Sequence, residues 1–168
     1  MSRSSNLLLS FILEAGILGR TVVDLGCGAG GFSVELLKRG ASSSVGIDLS
    51  PKMIESAAQL ARANGFDTRA KFELGNAAIV ELPVTDAVIM DKVLCCYSEW
   101  EPLLENAMRT SMDLVGFVVP RDEGIAKWPF RLGVRVVNFF QRRGEKILFY
   151  LHPLDRLDET LRASGFIL

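Results

Sequence analysis

Surplus charge, cysteine and histidine are all scarce in this chain. Its 168 residues carry 19 basic and 20 acidic side chains, a formal net charge of −1. That balance excludes the broad basic footprint of a nucleic-acid binder. There is one histidine, His152, and there are three cysteines, Cys27, Cys95 and Cys96. An odd count without a spaced framework excludes a disulfide scaffold and points to a reducing, cytoplasmic setting. Adjacent Cys95 and Cys96 lack the spacing of zinc ligands, so no metal site is expected. No apolar run approaches the roughly 20 residues of a membrane span, so stable membrane insertion is not expected.

What is present is apolar residues, 49% of the chain, enough for the core of one domain over residues 1–168. The N-terminal run NLLLSFILEAGILG invites comparison with a signal peptide. Arg3 is a thin basic start, however, and Glu14 interrupts the tail of the run. Leu8, Ile12 and Ala15 recur at helical spacing, which predicts an amphipathic helix within residues 1–20.

Beyond it, short apolar runs alternate with helical patterns. Strands are expected at Thr21–Leu25, Ser44–Ile47, Ala70–Leu74, Ala87–Met90 and Leu114–Val119. Helices are expected at Gly31–Arg39, Pro51–Asn64 and Pro102–Ser111. The second of these starts with Ser50 as N-cap and Pro51 at its first position, and it ends at Asn64-Gly65. Such alternation implies parallel strands joined by crossover helices. In the last third, Trp128–Gln141 reads as a helix with an apolar side and an arginine side. Lys146–Leu151 reads as a short extended piece, and Leu154–Ser164 as a final helix closed by Gly165.

The stretch Val22–Ser33, VVDLGCGAGGFS, concentrates the chemistry. Gly26, Gly28 and Gly31 match the dinucleotide fingerprint G-x-G-x-x-G. Asp24 followed by Gly26, Gly28 and Gly30 matches a different pattern, an acid and then a glycine at every second place. In either pattern the glycines permit a tight turn and close approach of a ligand to the backbone. The following helix aims its amides and positive dipole end at that ligand. Asp24, at the loop mouth, separates the two: a carboxylate repels a pyrophosphate and attracts an ammonium or sulfonium. A second acid, Asp48, ends the second strand about twenty residues on, the place of an acid that grips ribose hydroxyls. It also suits the N-terminus of the helix that starts at Pro51, and both roles stay open.

Four segments, VVDLGCGAGG, GIDLSPKMIESA, LGNAAIVELP and DAVIMDKVLCCY, resemble successive motifs of class I S-adenosylmethionine-dependent methyltransferases. Within that family the small-molecule type of the ubiquinone-biosynthesis and magnesium-protoporphyrin methyltransferases is the most similar. The resemblance implies a Rossmann-like three-layer α/β sandwich with a central, mainly parallel sheet. It implies that Asp24, Gly26, Cys27, Gly28 and Gly30 hold the methionine part of the cofactor S-adenosylmethionine, and Asp48 the ribose. Leu49 and Met53 would line the adenine pocket. Asn76 would stand beside the adenine amino group, where the family has Asp, and Ala77 would leave room for the ring. Asp91 would face the methyl-donor end with Lys92 and Val93. The implied partner is a small-molecule acceptor.

Methyl transfer from a sulfonium is an in-line displacement in which positioning can supply about 7–11 kcal/mol of the barrier. A general base is needed only where the acceptor must lose a proton. His152 is one candidate; a surface histidine beside Pro153 is the other reading. Tyr97 could offer its ring to the sulfonium or its hydroxyl to the acceptor. Cys95 and Cys96 read as small buried apolar residues. The segment Trp128–Arg143 is expected as a lid, a plain solvated helix or a peripheral membrane contact. The division expected is a helix over 1–20, a cofactor core over 21–120, and a lid and last helix over 121–168. The family's closing antiparallel hairpin has no residues here, so the sheet is expected to lack it, or a partner to supply the edge. A chain extended by that hairpin should then be more stable; equal melting temperatures would refute this. Two further readings are a nicotinamide-dependent oxidoreductase built on the same glycines and a cofactor-binding module without catalysis.

Overall fold

The computed structural model describes residues 2–119 and 150–166. The segment Trp128–Arg143 and most of Lys146–Leu151 lie outside the described residues. Among those described, five strands form one all-parallel sheet in the order β3-β2-β1-β4-β5. They are β1 Thr21–Leu25, β2 Ser43–Asp48, β3 Ala70–Leu74, β4 Thr85–Asp91 and β5 Ser111–Val118. Each stands where an apolar run was expected. β2 and β4 extend the expected runs at both ends, while β5 starts earlier and ends one residue sooner.

Helices α1 (Arg3–Glu14), α2 (Gly31–Lys38), α3 (Pro51–Ala63), α4 (Glu101–Thr110) and α5 (Leu154–Ala163) cover both faces. Local chemistry explains their starts. The Ser2 hydroxyl accepts from the Ser5 amide at 3.2 Å, and the Ser50 hydroxyl from the Met53 amide at 3.4 Å, with Pro51 at the first helical position. α1, α2 and α3 close one face, where Leu8, Ile12, Phe32, Leu36 and Ala61 share a core with Val22 and Ile89. α4 and α5 close the other, where Leu103, Leu104, Leu157 and Leu161 meet Val23, Val88 and Met90. This gives three layers, as expected for a Rossmann-like α/β sandwich.

The chain builds outward from β1 through β2 to β3, then returns to the other side of β1 as β4 and β5. The order therefore reverses between β1 and β4. In open α/β sheets the crevice at the carboxyl ends of the strands beside such a reversal receives ligands. Among the described residues, no helix is long and apolar enough to cross a membrane.

Candidate functional site

The turn after β1 occupies that crevice. Its backbone folds onto the neighbouring strand: the Gly26 and Cys27 amides both donate to the Ile47 carbonyl, at 2.7 and 2.9 Å. Gly30 closes the turn by donating to the Cys27 carbonyl at 2.9 Å. Two glycines are required here for distinct reasons. Gly26 has φ +70°, and a Cβ on it would collide with the Val93 side chain. Gly30 has φ +76°, and its Cβ would lie 2.8 Å from that of Ala57 on α3.

Three carboxylates surround the turn. Asp48, at the end of β2, accepts from the Gly28 amide through Oδ2 and from the Ser50 amide through Oδ1, both at 2.9 Å. It thus braces the glycine turn and the entry to α3 together, so the helix-start role expected for it is present. Each oxygen keeps a second lone pair for a ligand. Asp91, at the end of β4, accepts from the Ser5 hydroxyl through Oδ2 at 2.7 Å.

Asp24 differs from the expectation. The sequence pattern set it at the loop mouth, yet the residue is only 1% exposed, and the Ser33 hydroxyl on α2 donates to its Oδ2 at 2.6 Å. Burial pushes its pKa up to about 7; the Ser33 hydrogen bond pulls it down, and the nearby Asp91 adds to the rise. The cause is register: Asp24 lies in the central strand, flanked by Gly46 and Ile89, and α2 closes over it. Its one side-chain hydrogen-bond partner among the described residues is a hydroxyl and not an arginine.

Two adjoining cavities open here. One, of about 160 Å³, is lined by Asp48, Leu49, Ala77, Asp91, Lys92 and Tyr97, among others. The second, of about 430 Å³, is lined by Asp24, Cys27, Gly28, Phe32, Ser5 and Lys92, among others. Gly26 and Asp91 border both. Most of the expected cofactor residues are therefore brought together. Gly30, Met53 and Asn76 are not part of either lining. Met53 sits exposed in the first turn of α3. The Asn76 oxygen already accepts from the Ala78 amide and the Tyr97 hydroxyl, each at 3.0 Å. Ser2, Ser5 and Phe32 line the second cavity and were missed. Ser5 meets Asp91 across 86 positions of sequence, beyond any local pattern.

The catalytic candidates part company. Tyr97 lines the smaller cavity, half-buried, with its hydroxyl donated to Asn76 and its pKa raised by burial. His152 borders neither cavity. Nor is it a surface residue: it is buried, its Nε2 donates to the Leu94 carbonyl at 2.9 Å, and its ring centroid is 6.0 Å from that of Trp100 and 6.5 Å from that of Tyr150. Cys95 is buried, whereas Cys96 is half-buried and lines the smaller cavity. Both thiols donate to the Lys92 carbonyl, Cys95 at 3.2 Å and Cys96 at 3.6 Å, and the neighbouring Cys96 lowers the Cys95 pKa to about 7 against the opposing effect of burial. The Cys96 thiol is pushed up in return.

With this geometry in place, comparison with known proteins decides the family. A model described as a methyltransferase domain matches residues 19–122, more than half of the chain. The chain belongs to the methyltransferase domain family. The matched residues run from the approach to β1 through all five strands of this methyltransferase domain.

A ribosomal protein L11 methyltransferase from Enterobacter sp. (strain 638) is 34% identical over 162 residues, covering 96% of this chain and 50% of that one. The protein of the same name from Histophilus somni (strain 2336) is 32% identical over 108 residues, 64% of this chain and 36% of that one. The domain thus spans half or less of the length of these relatives. The crystal structure of magnesium protoporphyrin IX methyltransferase from Synechocystis PCC 6803 with bound SAH superimposes with a TM-score of 0.76 at 21% identity. It covers 98% of this chain and 72% of that one, and it corroborates the fold. One expectation is corrected here. The sequence motifs suggested a small-molecule acceptor, whereas the sequence relatives are named for a ribosomal protein. The motifs could not carry that information, because they surround the cofactor crevice and not an acceptor surface.

Proposed function

We propose that this domain binds S-adenosylmethionine in the joined cavities and transfers its methyl group to an acceptor carried by a protein. The observation that carries the reading is the ring of three carboxylates, Asp24, Asp48 and Asp91, around a glycine turn at the sheet's reversal point. A diphosphate is repelled by such a ring, and a ligand with ammonium and sulfonium groups is attracted. The residues also fit the cofactor in two other respects. Asp91 Oδ1 is buried with no partner, and a Cβ added to Gly28 would meet open space.

In this reading Asp24 and the turn Gly26–Gly28 hold the amino-acid part, with Asp24 giving up its proton as a cation arrives. Asp48 accepts from the ribose hydroxyls while its backbone partners keep it in place. Leu49 and Ala77 flank the adenine. Tyr97, fixed by Asn76, closes the same cavity beside Ala77. When bound, the cofactor supplies an already activated methyl group, so the domain's own work is alignment and exclusion of water. The protein acceptor is supported by the names of the sequence relatives.

The test uses methyl-labelled S-adenosylmethionine and a whole-cell extract. Label recovered in the acid-precipitable protein fraction, and lost in the Asp48→Ala variant, is the expected result. Label confined to small molecules would overturn the acceptor reading.

A further inference from the structure

Asp91 is the acid in this site whose hydrogen bonding is unfinished. It ends β4 and borders both cavities. Its Oδ2 is taken by the Ser5 hydroxyl at 2.7 Å, while its Oδ1 is buried without a partner. A buried oxygen left this way is costly unless a ligand completes it.

The next residue shows what surrounds the other oxygen, Oδ2. Lys92 has φ +64°, the left-handed region that a lysine adopts only when its surroundings hold it there. In that conformation its ammonium donates to Ser2 at 2.6 Å and to Ser5 at 3.0 Å, and stands 4.0 Å from Asp91 Oδ2. A continuous chain results: Lys92 donates to Ser5, and Ser5 donates to Asp91. Ser5 is itself buried, and α1 is seated by Leu8, Leu9 and Ile12 in the core. The first turn of α1 is therefore fixed over the end of β4. The ammonium beside Asp91 is held there by two hydroxyls.

Resting on the cofactor reading above, we infer that Asp91 and Lys92 form a charge-reading pair. Asp91 favours the positively charged sulfonium donor over the neutral thioether product, and Lys92, held by Ser2 and Ser5, is the counterweight that limits that preference. Asp91 borders both cavities, and a carboxylate with one oxygen unpartnered there attracts a cation. An ammonium 4.0 Å from the other oxygen opposes it. The balance keeps donor and product close enough in affinity for one to replace the other.

The experiment measures dissociation constants of S-adenosylmethionine and S-adenosylhomocysteine for the whole chain and three variants. Asp91→Asn is expected to weaken the sulfonium compound about tenfold and the thioether less than threefold. Lys92→Met is expected to shift the ratio the other way, about threefold or more towards the sulfonium, and Lys92→Arg to restore it. Lys92 is partly exposed, so its variants keep the fold, which thermal melting checks. General distortion of the site would weaken both compounds together. Ratios unchanged in Asp91→Asn and Lys92→Met, or shifted in the same direction in both, overturn the inference while leaving the cofactor reading intact. Wild-type protein that binds neither compound overturns both.

Discussion

In the proposed site, the titration of Asp24 makes binding of a cationic cofactor depend on solution pH. With its pKa pushed up to about 7, roughly one molecule in ten carries the carboxylate at pH 6 and nine in ten at pH 8. A cationic cofactor needs the ionised form, so its affinity is expected to be about tenfold weaker at pH 6 than at pH 8. Calorimetry at the two pH values checks this, and Asp24→Asn should flatten the dependence. The stability linkage has the opposite sense. The folded state holds the proton more tightly than the unfolded one, so this residue's stabilisation is complete below pH 3.8 and is lost as pH rises through 7. The acid and its glycines were legible because a strand followed by a glycine turn is a local pattern. The burial of Asp24 was not, because it depends on Ser33 folding back from α2. The buried bond from His152 to Leu94 was hidden for the same reason: the two are 58 positions apart.

At the scale of elements, α3 and the turn into α2 are the parts most exposed to single changes. Ser50→Ala removes the cap on the Met53 amide and is expected to cost about 1 kcal/mol of stability, measured by urea denaturation. Gly30→Ala should cost more, since it meets both a left-handed backbone and the Cβ of Ala57. A Gly30→Ala loss smaller than that of Ser50→Ala would contradict the tight approach of α2 to α3. These starts could be read from the sequence because Ser-Pro and glycine act within one turn of themselves. Strand ends were harder to read. β4 runs on through Asp91 because its polar last residue continues the pairing with β5, which apolar patterning does not report.

For the whole molecule, the alternation of apolar runs already implied a parallel sheet with helices on both faces, and the described residues carry it. Ile89 is fully buried in the central layer beside α1 and α2. Ile89→Ala is expected to lower stability by about 2–5 kcal/mol, and circular dichroism and fluorescence should report one coincident transition if a single cooperative unit is present. The acceptor was not legible, because the motif residues that the structure brings together border the crevice at the strand ends and describe no acceptor surface. The proposal for the whole molecule is that its carboxylate-bordered crevice favours a sulfonium over a diphosphate. The most direct measurement is calorimetric titration of the chain at pH 8 with S-adenosylmethionine and, separately, with NADH. Saturable heat with the first and none with the second is predicted, with Asp48→Ala weakening the first by the order of 2–3 kcal/mol. Saturable binding of NADH with no response to S-adenosylmethionine would contradict the account.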